Sequence, residues 1–105
     1  MVDNNDKLSS KETLDTIRDI AQLGNVILTG HVKKRMRERD YSIDDIVLIL
    51  SKGEIIEPPE YDKEYDNWKW KVQGHAIEGD QAAVIVVILS HRELLCLTIM
   101  FEWEK

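Results

Sequence analysis

The chain has 105 residues, of which 43% are hydrophobic and 32% charged, with a formal net charge of −6. That is enough apolar material for one domain with a core of its own. The acidic balance excludes a protein that coats nucleic acid with a broad basic surface. A single cysteine, Cys96, excludes an internal disulfide.

Residues 1–8 read as a flexible polar arm without the apolar stretch of a secretion signal. Ser9-Ser10-Lys11-Glu12 has capping-box spacing and opens a helix, with Leu14, Ile17, Ile20 and Ala21 on one face and Gly24 as its stop. Val26-Ile27-Leu28 is either a strand or a buried connection. Thr29 then caps a second helix, which is a basic island in an acidic chain. Residues 31–39 hold five of the 14 Lys and Arg and only one acid, Glu38, a net +4 against −10 for the remainder. Val32 and Met36 form its narrow apolar stripe. His31, Arg35 and Arg39 recur every four residues on the flank of that stripe, which places them at the rim of whatever the helix packs on.

Ser42-Ile43-Asp44-Asp45 starts a third helix, with Ile43, Ile46, Val47 and Leu50 at i, i+3, i+4, i+7 spacing and Gly53 at its C-terminal end. The period then changes. Pro58-Pro59 ends any strand begun at Ile55-Ile56, and residues 60–67 read as an acidic, Tyr-bearing loop. Trp68, Trp70 and Val72 alternate with Lys69, Lys71 and Gln73, so Lys69, Lys71, Gln73 and His75 share one strand face. Ala82 to Leu89 and Leu94 to Phe101 are almost continuously apolar and are separated by Ser90-His91-Arg92-Glu93. Short turns joining the three segments predict an antiparallel meander, and the continuous apolar runs predict strands covered on both faces. The expected class is α+β: three N-terminal helices packed on a C-terminal antiparallel sheet of three to four strands, in one domain over 9–105. Cys96, within an apolar run, reads as a small buried hydrophobe. No Cys/His cluster has zinc-ligand spacing, no apolar run is long enough to span a bilayer as a helix, and the expected compartment is the cytoplasm.

An imidazole above two guanidiniums on one helix stripe is a place to hold and work on a phosphate. Cleaving RNA without a metal needs a base for the 2′-hydroxyl, cations for the phosphorane charge and an acid for the leaving 5′-oxygen. His31 suits the acid or base, Arg35 and Arg39 the clamp, and Lys69, Lys71 and His75 further contacts to substrate. The structural alternatives are plain. His31 can tie down a helix N-terminus, the arginines can pair with Glu38, Asp40 or the acidic 60–66 segment, and Lys69 and Lys71 can be an ordinary solvated strand face.

Taken together, the motifs resemble a small bacterial family, domain of unknown function 4258, which is similar to BrnT-type and RelE-type toxins. The resemblance rests on His31, Arg35-Met36, Arg39, Tyr41-Ser42, Asp45-Ile46-Val47, Gly53 to Glu57, Trp68 to Gly74, Gly79 and Leu97-Thr98, and covers about residues 26–101. The chain departs from the pattern at Met100, where relatives commonly carry Tyr. The helix at 9–23 lies outside the pattern and is expected to cover the second sheet face or a partner surface. The resemblance implies a RelE/BrnT-like fold and the toxin of a type II toxin–antitoxin pair, a metal-independent endoribonuclease needing no cofactor. It implies a small antitoxin protein as partner and RNA as substrate, with Thr98 joining the site residues. The alternative is a non-catalytic nucleic-acid-binding or protein-interaction domain.

Overall fold

A computed structural model describes residues 9–101; the expected arm at 1–8 lies outside the described residues. Three helices form where capping residues meet apolar periodicity. α1 (Ser10–Leu23) begins at a reciprocal box: Ser9 Oγ accepts from the Glu12 N–H at 3.1 Å, and Glu12 Oε1 accepts from the Ser9 N–H at 3.2 Å. After β1 (Asn25–Leu28), α2 (Gly30–Arg39) starts at Thr29 and closes through Asp40 in the left-handed conformation, φ 58°. α3 (Ile43–Lys52) follows, then β2 (Glu54–Ile55), β3 (Glu60–Asp62), β4 (Asn67–His75), β5 (Gln81–Ser90) and β6 (Glu93–Phe101).

The sheet is larger than the sequence predicts, and it is mixed. Its six strands run β1-β6-β5-β4-β2, with β3 also paired to β4. The β4–β5–β6 meander is antiparallel throughout, but β1 lies parallel to β6, Asn25 opposite Glu93 and Leu28 opposite Cys96. A short apolar run marks a strand face without marking its neighbour or direction, so this pairing is not legible locally. The acidic segment expected as a loop contains β3, because its partners compensate for its composition. Lys69 Nζ sits 3.9 Å from Glu60 and 3.6 Å from Asp62, and the Tyr61 ring meets Trp68 edge-on at 5.4 Å.

All three helices cover one face of this sheet. Ile17 and Ile20 of α1, Val32 of α2, and Ile46, Ile49 and Leu50 of α3 are buried with Val72, Val84, Leu94 and Ile99 in a single core. The expectation that the strands are covered on both faces holds for part of the sheet: on the face away from the helices Val87 and Ala83 are buried, whereas Ile27 and Met100 are exposed. α1 also departs from its expected role over that second face, packing instead beside α3. Among the described residues no helix is long and apolar enough to cross a membrane.

A β-bulge sets which residues reach the open face. Ile85 pairs with Thr98 but Val86 pairs with Cys96, so Leu97 is one residue extra. Cys96 and Ile99 thus both point into the core, and Leu97 and Thr98 both line the opposite side. Burial pushes the Cys96 thiol up to about 12. Native protein at pH 8 should therefore leave Cys96 unlabelled by Ellman's reagent, with full labelling only in denaturant; rapid labelling of the folded protein would contradict its place in the core.

Asp45 ties the far end of the sheet to α3. Its Oδ2 accepts from the Ser42 N–H and its Oδ1 from the Ile77 N–H, both at 2.9 Å, holding the β4–β5 turn against the helix N-terminus. Asp45→Ala leaves both donors without their acceptor and is expected to cost about 2–3 kcal/mol. Urea unfolding should show a lower midpoint at unchanged slope.

Candidate functional site

The site is built where β1 ends. The Thr29 N–H donates to the Cys96 carbonyl at 3.3 Å, its hydroxyl donates to the Leu97 carbonyl at 3.3 Å, and the same oxygen accepts from the Val32 N–H at 3.2 Å. One residue thus caps α2 and pins its start to the bulge of β6. Val32 and Met36 enter the core, which turns the flank of the helix toward the edge of β6. His31 reaches over that edge, its Nε2 lying 3.1 Å from Thr98 Oγ1. Which of the two donates follows the imidazole tautomer.

Beside this pair lies a groove of about 860 Å³ on the open sheet face. That is the size of a small-ligand site. Register accounts for its floor. Thr98, Ile85 and Lys71 form one row across β6, β5 and β4, Met100, Ala83 and Gln73 form the next, and Gln81 and His75 begin a third. Ala83 is the smallest side chain on these rows, which gives the groove its depth. With strands about 4.8 Å apart, the rows span about 10 Å from β6 to β4.

The residues singled out from sequence are distributed unevenly around it. His31, Arg35, Lys71, His75 and Thr98 all line the groove. Lys69 lines an adjoining hollow instead, with Leu97, Ile85 and Asp62. Arg39 lines neither. Its guanidinium lies over the Phe101 ring at 4.4 Å, with Arg35 over the same ring at 5.4 Å and the Tyr41 edge against it at 5.2 Å. A cation over a desolvated ring is a structural contact as well as a charge.

Electrostatics divide the open face. Lys71 Nζ is 3.4 Å from Glu57, and Arg18 of α1 stands 3.8 Å from Glu54 while donating to the Gly53 carbonyl at 3.0 Å. Both acids line the groove on the side of β2, opposite His31 and Arg35. Sequence reading recognised Gly53 to Glu57 as a motif but gave these carboxylates no part in the site. It also missed Gln81, whose only signal is its position at the head of β5. Tyr41 is not a base here. Burial first, then the charges of Asp80 and Asp45 and its 3.4 Å hydrogen bond to Asp80, push its hydroxyl up to about 12 against the opposing effect of Arg39. Among the described residues no three His, Cys, Asp or Glu side chains gather as a metal site needs.

Two imidazoles, a guanidinium, a lysine and a hydroxyl around one cavity can hold an anion and move protons at it. The family model for Domain of unknown function (DUF4258) matches residues 28–101. The chain belongs to this family. The matched span begins at the end of β1 and runs through β6, so it contains α2, the meander and every groove residue named above, while α1 lies before it. No curated protein and no solved structure matches the chain.

Proposed function

We propose that this DUF4258 chain is the toxin of a type II toxin–antitoxin pair with a RelE/BrnT-like fold, and that it cleaves RNA without a metal. The observation that carries the reading is the convergence of His31, Arg35, Lys71, His75 and Thr98 on one groove. The chemistry would run as follows. The RNA 2′-oxygen attacks the adjacent phosphorus, the bond to the 5′-oxygen breaks, and a 2′,3′-cyclic phosphate and a 5′-hydroxyl remain. One imidazole takes the 2′-hydroxyl proton and the other supplies a proton to the leaving oxygen, with His31 and His75 in these two roles. Arg35 offsets charge on the phosphorane, and Thr98 holds the His31 ring in place.

The decisive assay is purified protein with labelled RNA in EDTA, with and without ribosomes, alongside induction in growing cells. Wild type should yield cyclic-phosphate ends and slow growth, and His31→Ala and Arg35→Ala should do neither. Intact RNA and equal growth for wild type, variants and uninduced cells would overturn the proposal. RNA that binds with a shallow salt slope but stays whole would favour a phosphate-holding module instead.

A further inference from the structure

The sheet face away from the helices carries a further set of aliphatic side chains outside the helix-side core. Ile27 of β1, Leu95 of β6 and Val87 of β5 form one row across three neighbouring strands, in which Val87 is fully buried and Ile27 and Leu95 carry the accessible surface. Leu97 and Ile85 continue the patch toward the bulge, where they line the hollow beside the groove. Ile27 is 39% and Met100 42% exposed. A sheet face left to water is ordinarily polar on alternate residues, and contiguous aliphatic surface marks an interaction site.

The charges around this patch select its occupant. Glu57, Glu60 and Asp62 rim the hollow, and its two lysines are already engaged, Lys69 with Glu60 and Asp62 and Lys71 with Glu57. Acids therefore outnumber cations there, and RNA phosphates would be repelled. Among the described residues the tryptophans give RNA no stacking platform on this side, since Trp70 is buried in the core and Trp68 packs against it. A second copy would bring the same carboxylates and another net −6.

We propose that this aliphatic, acid-rimmed half of the sheet face docks a cationic amphipathic segment of a partner protein. A row spanning three strands is about 10 Å wide, which matches the apolar stripe of one helix. The hollow shares Glu57, Lys71, Thr98 and Met100 with the His31 groove, so the docked segment also closes that groove. The proposal rests on the partner part of the function above and is independent of its cleavage chemistry.

The test is fluorescence anisotropy of the full chain with a labelled amphipathic helical peptide of Leu and Lys, and with its Leu/Glu counterpart. The Leu/Lys peptide should bind and the Leu/Glu peptide should not. Leu97→Asp and Ile27→Asp should each weaken binding by at least about tenfold, whereas Leu23→Asp, on the helix layer, should leave it unchanged. Each Asp adds negative charge, so attraction by charge alone would tighten binding in all three variants, and that result would overturn the proposal. Equal binding of the two peptides would overturn it too, as would a wild-type dimer by light scattering that Leu97→Asp converts to monomer. The two positions lie on different strands, so either variant, once circular dichroism shows it folded, decides the matter. No RNA is present, so failure here leaves the cleavage reading standing, and loss of that reading leaves this one standing.

Discussion

His31→Ala is expected to lower RNA cleavage by about 10²–10⁴-fold, the usual contribution of a positioned acid or base. The imidazole lies 3.1 Å from Thr98 on a helix whose first turn is pinned by Thr29, so its removal takes away a proton carrier held in one place. Arg35→Ala should cost about 10²–10³-fold if its guanidinium steadies the phosphorane. Arg35→Lys should recover little, because a point charge does not reproduce the two-pronged contact. A structural role must be separated from these effects, since Arg35 also lies over Phe101 at 5.4 Å. That contact is worth about 0.5–1 kcal/mol at a partly exposed position. Thermal melts of each variant settle the point: a cleavage loss with a nearly unchanged melting temperature belongs to chemistry, and a parallel loss of both belongs to folding.

Gly53→Ala should produce a large loss of stability. A Cβ at Gly53 would lie 2.5 Å from the Ile49 carbonyl oxygen, 2.6 Å from the Gln73 carbonyl oxygen and 2.8 Å from Val72 Cγ1. Two of these three atoms are backbone and cannot swing away. The chain would have to part α3 from β4, at a cost of about 3 kcal/mol. For a domain of this size the melting temperature should fall by about 10–20 °C. The groove should suffer as well, because Gly53 leads directly into β2 and the segment bearing Glu54 and Glu57. Gly30→Ala provides the contrast. Nothing lies within 4 Å of a Cβ there and the residue opens α2, so the change should be neutral or stabilising by up to about 1 kcal/mol. A Gly53→Ala protein that melts with wild type would show that the α3–β4 junction is looser than these contacts imply.

The Gly53 case also shows the limit of local reading. The sequence placed a glycine after α3 and suggested a helix stop. The structure gives it φ −75°, an ordinary backbone angle, and the requirement comes instead from β4 lying against it. The same division runs through the site. Arg39 shares a stripe with His31 and Arg35 by helical spacing, yet only His31 and Arg35 line the groove, because Arg39 lies over the Phe101 ring at the end of β6. Lys69 and Lys71 share a strand face by alternation, yet Lys69 falls beside the groove and both are paired with acids of the 57–62 segment.

What the sequence by itself determined is what depends on near neighbours. Ser9 with Glu12, Thr29, and Ser42 with Asp45 mark where three helices begin, Val32 and Met36 put His31 and Arg35 on a rim, and Gly79 and the 90–93 turn define the antiparallel meander. Caps, turns and periodicity act within a few residues, so they are written in the local order of the chain. Only the tertiary structure decided the parallel pairing of β1 with β6, the pairing of acidic β3 with Lys69, and the bulge at Leu97 that turns Thr98 toward His31. It also decided that all three helices cover one face of the sheet and put Ile85, Leu95, Leu97 and Thr98 on the other. Alternation tells a strand which side chains share a face, but not which strand lies beside it or what lies above it, because those are set by contacts between residues far apart in the chain.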